Sequence, residues 1–158
     1  MIFLKNDKLV YNVTRIKIYF KRVDEEMNTN KLIVESYYEN LWNAKDKSYI
    51  DTLMHDDIVF RGTLDVTCRG KKEFEAYFDM ILVALPDLYH GVELMLSEKN
   101  KIAARAIYHG THLGKLFDFE PTQRRITYNG ASFFTIKDDK ISDIWVLGDL
   151  NTLYKQML

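Results

Sequence analysis

The sequence has few of the residues that build disulfides, metal sites or nucleotide sites. Cys68 is the single cysteine, so no internal disulfide forms, and no cluster of cysteine and histidine has the spacing of a zinc site. A glycine-rich phosphate loop, a nucleophile elbow and an HExxH motif are also missing. We therefore expect no metal and no organic cofactor, and the lone cysteine favours a reducing compartment.

An excess of charge of either sign is missing as well. The 22 basic and 23 acidic side chains leave a formal net charge of −1, so no long-range field recruits nucleic acid or an anionic membrane surface. No apolar run approaches the roughly 18 residues that span a bilayer, and the amino terminus lacks the apolar segment of a secretory signal. We expect a cytoplasmic protein that binds neither nucleic acid nor membrane.

The sequence has enough apolar residues for one core. Of 158 residues, 47% are hydrophobic, which predicts a single domain. Residues 1–26 form an N-terminal extension, either an added edge strand, because Ile16, Ile18 and Phe20 alternate with basic residues, or an upstream segment. The pattern of a self-contained domain begins just after this extension, so residues 27–158 are expected to be the domain.

Helical patterns fill the first half of that domain. Asn28 or Thr29 can cap a first helix with a broad apolar stripe, which should end near Asn43. Asp46 can cap a second, shorter helix. A third helical pattern follows and stops before Pro86, which cannot continue a helix.

After the third helix the hydrophobic period changes to two. Strands are predicted near residues 92–96, 102–113, 125–136 and 140–147, with turns between them. Three helices followed by an antiparallel meander predict an α+β domain, in which a curved sheet leaves an apolar cavity against the helices.

Aromatic residues are abundant enough to line such a cavity. They suit a pocket for a flat, hydrophobic ligand, although the same rings could simply fill the core. The candidates are Tyr37, Trp42, Tyr77, Phe78, Tyr108, Phe117, Phe119, Phe133, Phe134 and Trp145.

Two titratable residues stand out as candidates for chemistry. Strand alternation places Tyr108 and His112 on one face and His109 on the other, so only one histidine can look inward. His112 is either catalytic or a hydrogen-bonded strand residue. Asp149 lies between the last strand and a short C-terminal helix, so it is either the helix N-cap or a general base at the mouth of the pocket.

Five short motifs together resemble the SnoaL-like polyketide cyclase, or ester cyclase, family. They are "LWNAKD", "LPDLYHGVEL", "GTHLGKLFDFEPTQRRITYNG", "KISDIWVLGD" and "YKQML", and the resemblance runs from Asn28 to Leu158. The resemblance implies the cone of the nuclear-transport-factor-like superfamily. In that fold a curved, mixed but mainly antiparallel sheet wraps around three N-terminal helices, with a short C-terminal helix. It also implies a homodimer, because exposed sheet faces in the family often pair.

The resemblance implies acid/base chemistry without a cofactor on a hydrophobic carbonyl substrate, either an aldol-type cyclisation or a related isomerisation or lyase reaction. Asp149 matches the acid/base aspartate, His112 matches the histidine that orients a carbonyl, and Asn43 matches a pocket asparagine. We place the substrate among a set of polar and aromatic side chains: Trp42, Asn43, Arg105, Tyr108, Phe133 and Trp145.

Two departures and two alternatives accompany this hypothesis. Gln123 replaces the usual glycine of the "PTGR" element, which bears on a loop over the pocket, and the "DGK" turn reads "DDK". Arg105 would suit a site that resembles that of the epoxide hydrolases of this fold, in which an arginine links two carboxylates. However, Ile107 occupies the position where this resemblance would place the second carboxylate. The other alternative is a non-catalytic module that binds a hydrophobic ligand or dimerises.

Overall fold

The computed structural model describes residues 6–63 and 66–158, with side chains from residue 15 onward. Four α-helices are present in these ranges, and a π-helical segment at Tyr37–Asn43 continues the first of them. The α-helices are α1 (Asn6–Ser36), α2 (Ser48–Leu53), α3 (Lys71–Ala84) and α4 (Leu150–Met157).

Six strands form one sheet in the order β2-β1-β6-β5-β4-β3. All neighbouring strands run antiparallel except β1 and β6, which are parallel. The strands are β1 (Met54–Arg61), β2 (Thr67–Arg69), β3 (Tyr89–Glu98), β4 (Lys101–Thr111), β5 (Arg125–Lys137) and β6 (Lys140–Gly148). The prediction of an α+β fold with a mixed, mainly antiparallel sheet is confirmed.

The sheet has an inner face that packs on the helices and an outer face that lies open. Along β4 and β5 the even-numbered residues are buried, except the half-buried Tyr128, and the odd-numbered ones are more exposed, as a half-buried strand requires. Irregularities in pairing between Val92 and Leu94 and between Thr135 and Ile136 interrupt the ladder. Such bulges increase local twist and help a sheet to curve around a helical layer.

The first helix differs from the prediction. It does not begin at Asn28 or Thr29, because α1 is already helical from Asn6, and the Thr29 hydroxyl donates to the Glu25 carbonyl one turn back (3.0 Å). Nor do residues 16–20 form an edge strand. The sequence of α1 contains neither proline nor glycine, so nothing interrupts the helix once it has formed. Residues 1–5 lie outside the described part of the chain.

Among the side chains described from residue 15 onward, the C-terminal part of α1 contacts the sheet. Asn30 is buried and its Nδ2 donates to the Lys99 carbonyl at 3.2 Å, and the Ser97 hydroxyl donates to the Met27 carbonyl at 3.5 Å. Most side chains of residues 15–26 are exposed. We therefore propose that the folded domain begins near Met27.

Removing residues 1–26 should change the free energy of unfolding by less than about 1 kcal/mol, because most side chains described there, those of residues 15–26, are exposed, and surface positions contribute little. Replacing Asn30 by Ala should cost about 0.5–1.5 kcal/mol, because it removes the hydrogen bond that the buried Asn30 amide donates to the Lys99 carbonyl. Urea unfolding of both variants measures these differences. Asn28→Ala is the matched control, because Asn28 is an exposed asparagine two positions before Asn30 on the same helix. A truncation that costs more than Asn30→Ala would contradict this boundary.

Candidate functional site

A cavity lies between the inner face of the sheet and the helical layer. Aliphatic and aromatic side chains form its wall, which also contains five tyrosines and one histidine: Tyr37, Tyr38, Tyr77, Tyr108, Tyr128 and His90. None of the residues described as lining it is an aspartate, glutamate, lysine or arginine. The wall is therefore polar in places but carries no charged side chain from the described residues.

The cavity is narrow. The centre of a water molecule can reach about 70 Å³ of it. Since one water needs roughly 10–15 Å³ measured in this way, the space holds a few waters or one slim ligand. A larger ligand requires side chains of the wall to move.

The tyrosines in the wall are uncharged over the physiological range. Burial raises the pKa of Tyr37, Tyr38, Tyr77, Tyr108 and Tyr128 above the ordinary value of a phenol. Each hydroxyl keeps its proton and can donate a hydrogen bond. A set of neutral donors in an apolar space suits a carbonyl oxygen better than an anion that must leave its hydration shell.

Tyr108 occupies its place because the neighbouring strand has no side chain there. A Cβ on Gly130 would lie 2.9 Å from Tyr108 Cζ, closer than real Cβ contacts occur, so the ring rests against the glycine backbone. The Tyr108 and Ser132 hydroxyls, which lie 3.3 Å apart, share a hydrogen bond. Glycine at position 130 thus allows Tyr108 to lie flat on the cavity floor.

His90 is the one imidazole in the wall. It is 8% exposed, and burial, together with the nearby charges of Lys45 and His109, lowers its pKa to about 3. The ring is therefore neutral at physiological pH. It makes edge contacts with the rings of Tyr108 and Trp42, with centroids 4.7 and 5.1 Å apart. The sequence gives no sign of this position beyond a histidine at the start of a strand.

Asn43 fixes His90 rather than reaching into the cavity. Its Oδ1 accepts from the His90 backbone N–H at 2.8 Å, and its Nδ2 donates to the His90 carbonyl at 3.1 Å. Asn43 is the last residue of the π-helical segment, and it is not among the residues that line the cavity. Trp42, one position earlier, does line it.

Asp149 is the N-cap of α4. Its Oδ1 accepts from the Thr152 backbone N–H at 3.0 Å and its Oδ2 from the Thr152 hydroxyl at 2.6 Å. These two bonds hold the pKa of the exposed carboxyl below its usual value. The next residue, Leu150, lines the cavity, so the acid lies at its rim. The cap hypothesis describes this geometry, and the catalytic role of Asp149 stays a prediction.

His112 faces inward, as strand alternation predicts, but it lies outside the cavity wall. Its Nδ1 accepts from the Thr122 backbone N–H at 3.4 Å and lies 3.1 Å from the Thr122 hydroxyl. Two backbone hydrogen bonds pair His112 with Arg124 and Gln123 (2.9 and 3.0 Å). His112 therefore closes the base of the 113–124 loop.

The 113–124 loop contributes to the cavity wall, and it contains Gln123, which replaces the glycine usual in the family motif. Leu116 and Phe117 reach the wall, and the Phe119 ring contacts Tyr154 of α4 with centroids 5.1 Å apart. Gln123 has a φ of 62°, in the left-handed region that glycine adopts most easily. The backbone keeps the conformation for which a glycine is suited, and glutamine occupies it at some conformational cost.

Three of the residues expected to bind substrate lie on the outer face of the sheet. Arg105 pairs with Glu93 (Nε to Oε2, 3.1 Å), and Phe133 and Trp145 are 44% and 38% exposed with ring centroids 5.5 Å apart. All three occupy odd-numbered positions, which point away from the helices. The structure brings together Trp42, Tyr108 and His90 and separates them from these three.

The described residues support neither a metal site nor a membrane-spanning helix. No group of three or more histidine, cysteine, aspartate or glutamate side chains in residues 6–63 and 66–158 could hold a metal ion. Within the same ranges, no helix combines the length and the apolar character that crossing a membrane requires.

Acid should destabilise the protein through His90. In the unfolded chain the imidazole has the ordinary pKa of about 6.5, whereas in folded His90 the pKa is about 3, so stability that is fully present above pH 6.5 is lost as pH falls through this window. The His90 contribution should be at most about 1.4 kcal/mol per pH unit. Urea unfolding at pH 7 and 4.5 measures it, and His90→Phe should show a shallower loss. Equal losses in both proteins would contradict a buried neutral histidine.

Solved structures with similar folds share little sequence with the chain. A proposed SnoaL-like polyketide cyclase from Jannaschia sp. CCS1 has a TM-score of 0.79 at 16% identity, over 84% of this chain and 93% of that one. A SnoaL-like polyketide cyclase from Agrobacterium tumefaciens has a TM-score of 0.71 at 20% identity, over 82% and 98%. AclR from Streptomyces galilaeus, proposed to be a hydroxylase, has a TM-score of 0.72 at 23% identity, over 83% and 82%.

These likenesses show the fold and no reaction. No curated protein matches the sequence. The sequence pattern of a family does match: residues 32–157 correspond to the family described as SnoaL-like polyketide cyclase. The chain belongs to the SnoaL-like polyketide cyclase family.

Proposed function

We propose that this protein is a small-molecule enzyme that binds an uncharged, hydrophobic carbonyl compound and acts on it by acid/base chemistry without a cofactor. The reaction would be an aldol-type cyclisation or a related isomerisation or lyase reaction. The observation that carries the proposal is a cavity whose described wall combines aromatic surface with protonated tyrosine hydroxyls and no charged side chain.

The wall can stabilise an enolate. When a base removes a proton next to a carbonyl, negative charge develops on the carbonyl oxygen. Hydroxyls such as those of Tyr108 and Tyr128 are already protonated and fixed, so they can donate to this oxygen without rearranging solvent. The aromatic rings exclude water and so strengthen these hydrogen bonds.

Asp149 is the candidate base. Its lowered pKa keeps it ionised at neutral pH, and the same effect makes it a weak base. The substrate carbon must therefore be acidic, as is a carbon between two carbonyl groups. It must also reach the rim of the cavity beside Leu150. His112 would act on the same reaction from a distance, by holding the 113–124 loop that supplies Leu116 and Phe117.

A non-catalytic ligand binder is the second candidate, and one observation favours it. The carboxylate of Asp149 is exposed and engaged by Thr152 rather than directed into the cavity wall. A cavity of this kind without an acid or base in reach would hold a ligand and leave it unchanged.

Exchange of carbon-bound hydrogen separates the two candidates. Ethyl benzoylacetate, a β-keto ester, exchanges its C2 hydrogens in D₂O, and proton NMR follows the rate. The wild-type protein should accelerate this exchange, and Asp149→Asn should reduce the acceleration about 100-fold, the lower range for loss of a general base. Its melting temperature should hardly change, because asparagine is also a good N-cap.

The matched control is Asp143→Asn, which alters an exposed acid on β6, the strand that precedes Asp149, and should leave the exchange rate unchanged. Equal acceleration by wild type and Asp149→Asn would refute Asp149 as the base. No acceleration by any of the three proteins would favour the ligand binder.

We also propose that the chain forms a homodimer through the outer face of the sheet. That face carries a cluster of partly exposed apolar side chains: Leu94, Leu96, Phe133, Trp145 and Leu147. Burying a contiguous apolar patch against a second copy would remove it from water.

Phe133→Glu should convert a dimer to a monomer, because it would bury two charges in a twofold interface. Val83→Glu is the matched control, since Val83 is 70% exposed on α3, away from the cluster. Sedimentation velocity at micromolar concentration distinguishes the species. A wild-type monomer under these conditions would contradict the proposal.

A further inference from the structure

His90 is a polar group that the proposed reaction does not use. Its imidazole lines the cavity, yet Nδ1 is buried and has no hydrogen-bond partner among the described residues. A buried nitrogen without a partner costs free energy, and most such groups in native proteins are satisfied. Packing alone would be served better by an apolar ring at this position.

The position of the ring is fixed on every side. The Asn43 amide holds the backbone N–H and carbonyl of His90, and the ring packs edge-on against Tyr38 and Trp42 of the helical layer (centroids 5.8 and 5.1 Å apart). On the sheet side, His90 pairs in register with Tyr108, whose ring lies 4.7 Å away. The imidazole is thus positioned before any ligand arrives, which lowers the entropic cost of using it.

Charge is excluded from this part of the cavity. The described wall contains no carboxylate or ammonium group, and the tyrosine hydroxyls are protonated. A neutral imidazole can offer an N–H to an oxygen without bringing a charge into the apolar space. With the proton on Nδ1, the ligand that satisfies this nitrogen is uncharged and carries an oxygen acceptor.

We propose that His90 is a specificity-determining residue, which donates a hydrogen bond from Nδ1 to the carbonyl oxygen of an uncharged ligand whose hydrocarbon part lies among the surrounding aromatic rings. This assignment rests on the proposed function in one respect, namely that the cavity binds a hydrophobic carbonyl compound. Because Nδ1 is buried in the ligand-free structure, a neighbouring side chain turns aside when the ligand binds.

Two probes of the same skeleton test the assignment. Acetophenone has the carbonyl oxygen and ethylbenzene lacks it, and NMR titration gives the dissociation constant of each. The ratio of the ethylbenzene constant to the acetophenone constant should fall about threefold to tenfold in His90→Phe, the effect of one net hydrogen bond. His109→Phe is the matched control, because His109 stacks on Tyr89 outside the cavity wall.

An unchanged ratio in His90→Phe would overturn the assignment, and so would a failure of both probes to shift residues of the cavity in the wild type. If His90→Phe does not fold, the imidazole nitrogen shifts of the wild type decide. Adding acetophenone should move Nδ1 of His90 and leave His109 in place, and the reverse would reject the proposal.

The proposed enzymatic function and the His90 assignment are rejected by different results. A changed ratio together with no accelerated exchange of ethyl benzoylacetate keeps His90 as the ligand's partner and rejects the enzymatic reaction. Accelerated exchange that depends on Asp149, together with an unchanged ratio, keeps the base and rejects His90.

Discussion

Two hydrogen bonds between the Asn43 side chain and the His90 backbone fasten the helical layer to the end of the sheet. β3 is the last strand in the order, so it has a neighbouring strand on only one side. Asn43 also ends the π-helical segment that presents Tyr37, Tyr38 and Trp42. These bonds therefore set the distance between those three rings and the inner face of the sheet, and the width of the cavity depends on that distance.

Local patterns were sufficient to predict the fold and part of the cavity. The change from a helical period to a strand period after Pro86 predicts the third helix and the four strands that follow it, in the order that the structure has, but it does not predict β2, which lies with β1 between α2 and α3. Alternation along β4 places Tyr108 and His112 inside and His109 outside, as observed. The same rule applied to Arg105 places it outside, because an odd number of positions separates it from Tyr108. Arg105, Phe133 and Trp145 were expected to bind substrate because of their chemical type, although strand alternation alone would have placed Arg105 on the outer face.

Other features depend on partners that no local pattern identifies. Asn43 and His90 lie 47 positions apart in the sequence, and either residue alone looks like an ordinary polar residue near an element end. Asp149 follows a strand and precedes a helix, so its sequence context is compatible both with a helix cap and with a general base. The bonds to Thr152 identify the cap. The start of the first helix expected at Asn28 or Thr29 was wrong, because a residue that caps helices well does not interrupt a helix that is already formed.

The neutrality of the cavity wall has a consequence for which molecules the protein selects. The chain has a net charge of −1, and no described side chain of the wall is charged, so neither electrostatic steering nor ionic strength should contribute much to encounter. Binding then resembles the transfer of a solute from water into an aromatic solvent that holds a few fixed hydroxyls. Among ligands of equal size that offer the same hydrogen-bond acceptor, affinity would follow the water-to-octanol partition coefficient, and shape would matter only where the walls no longer yield.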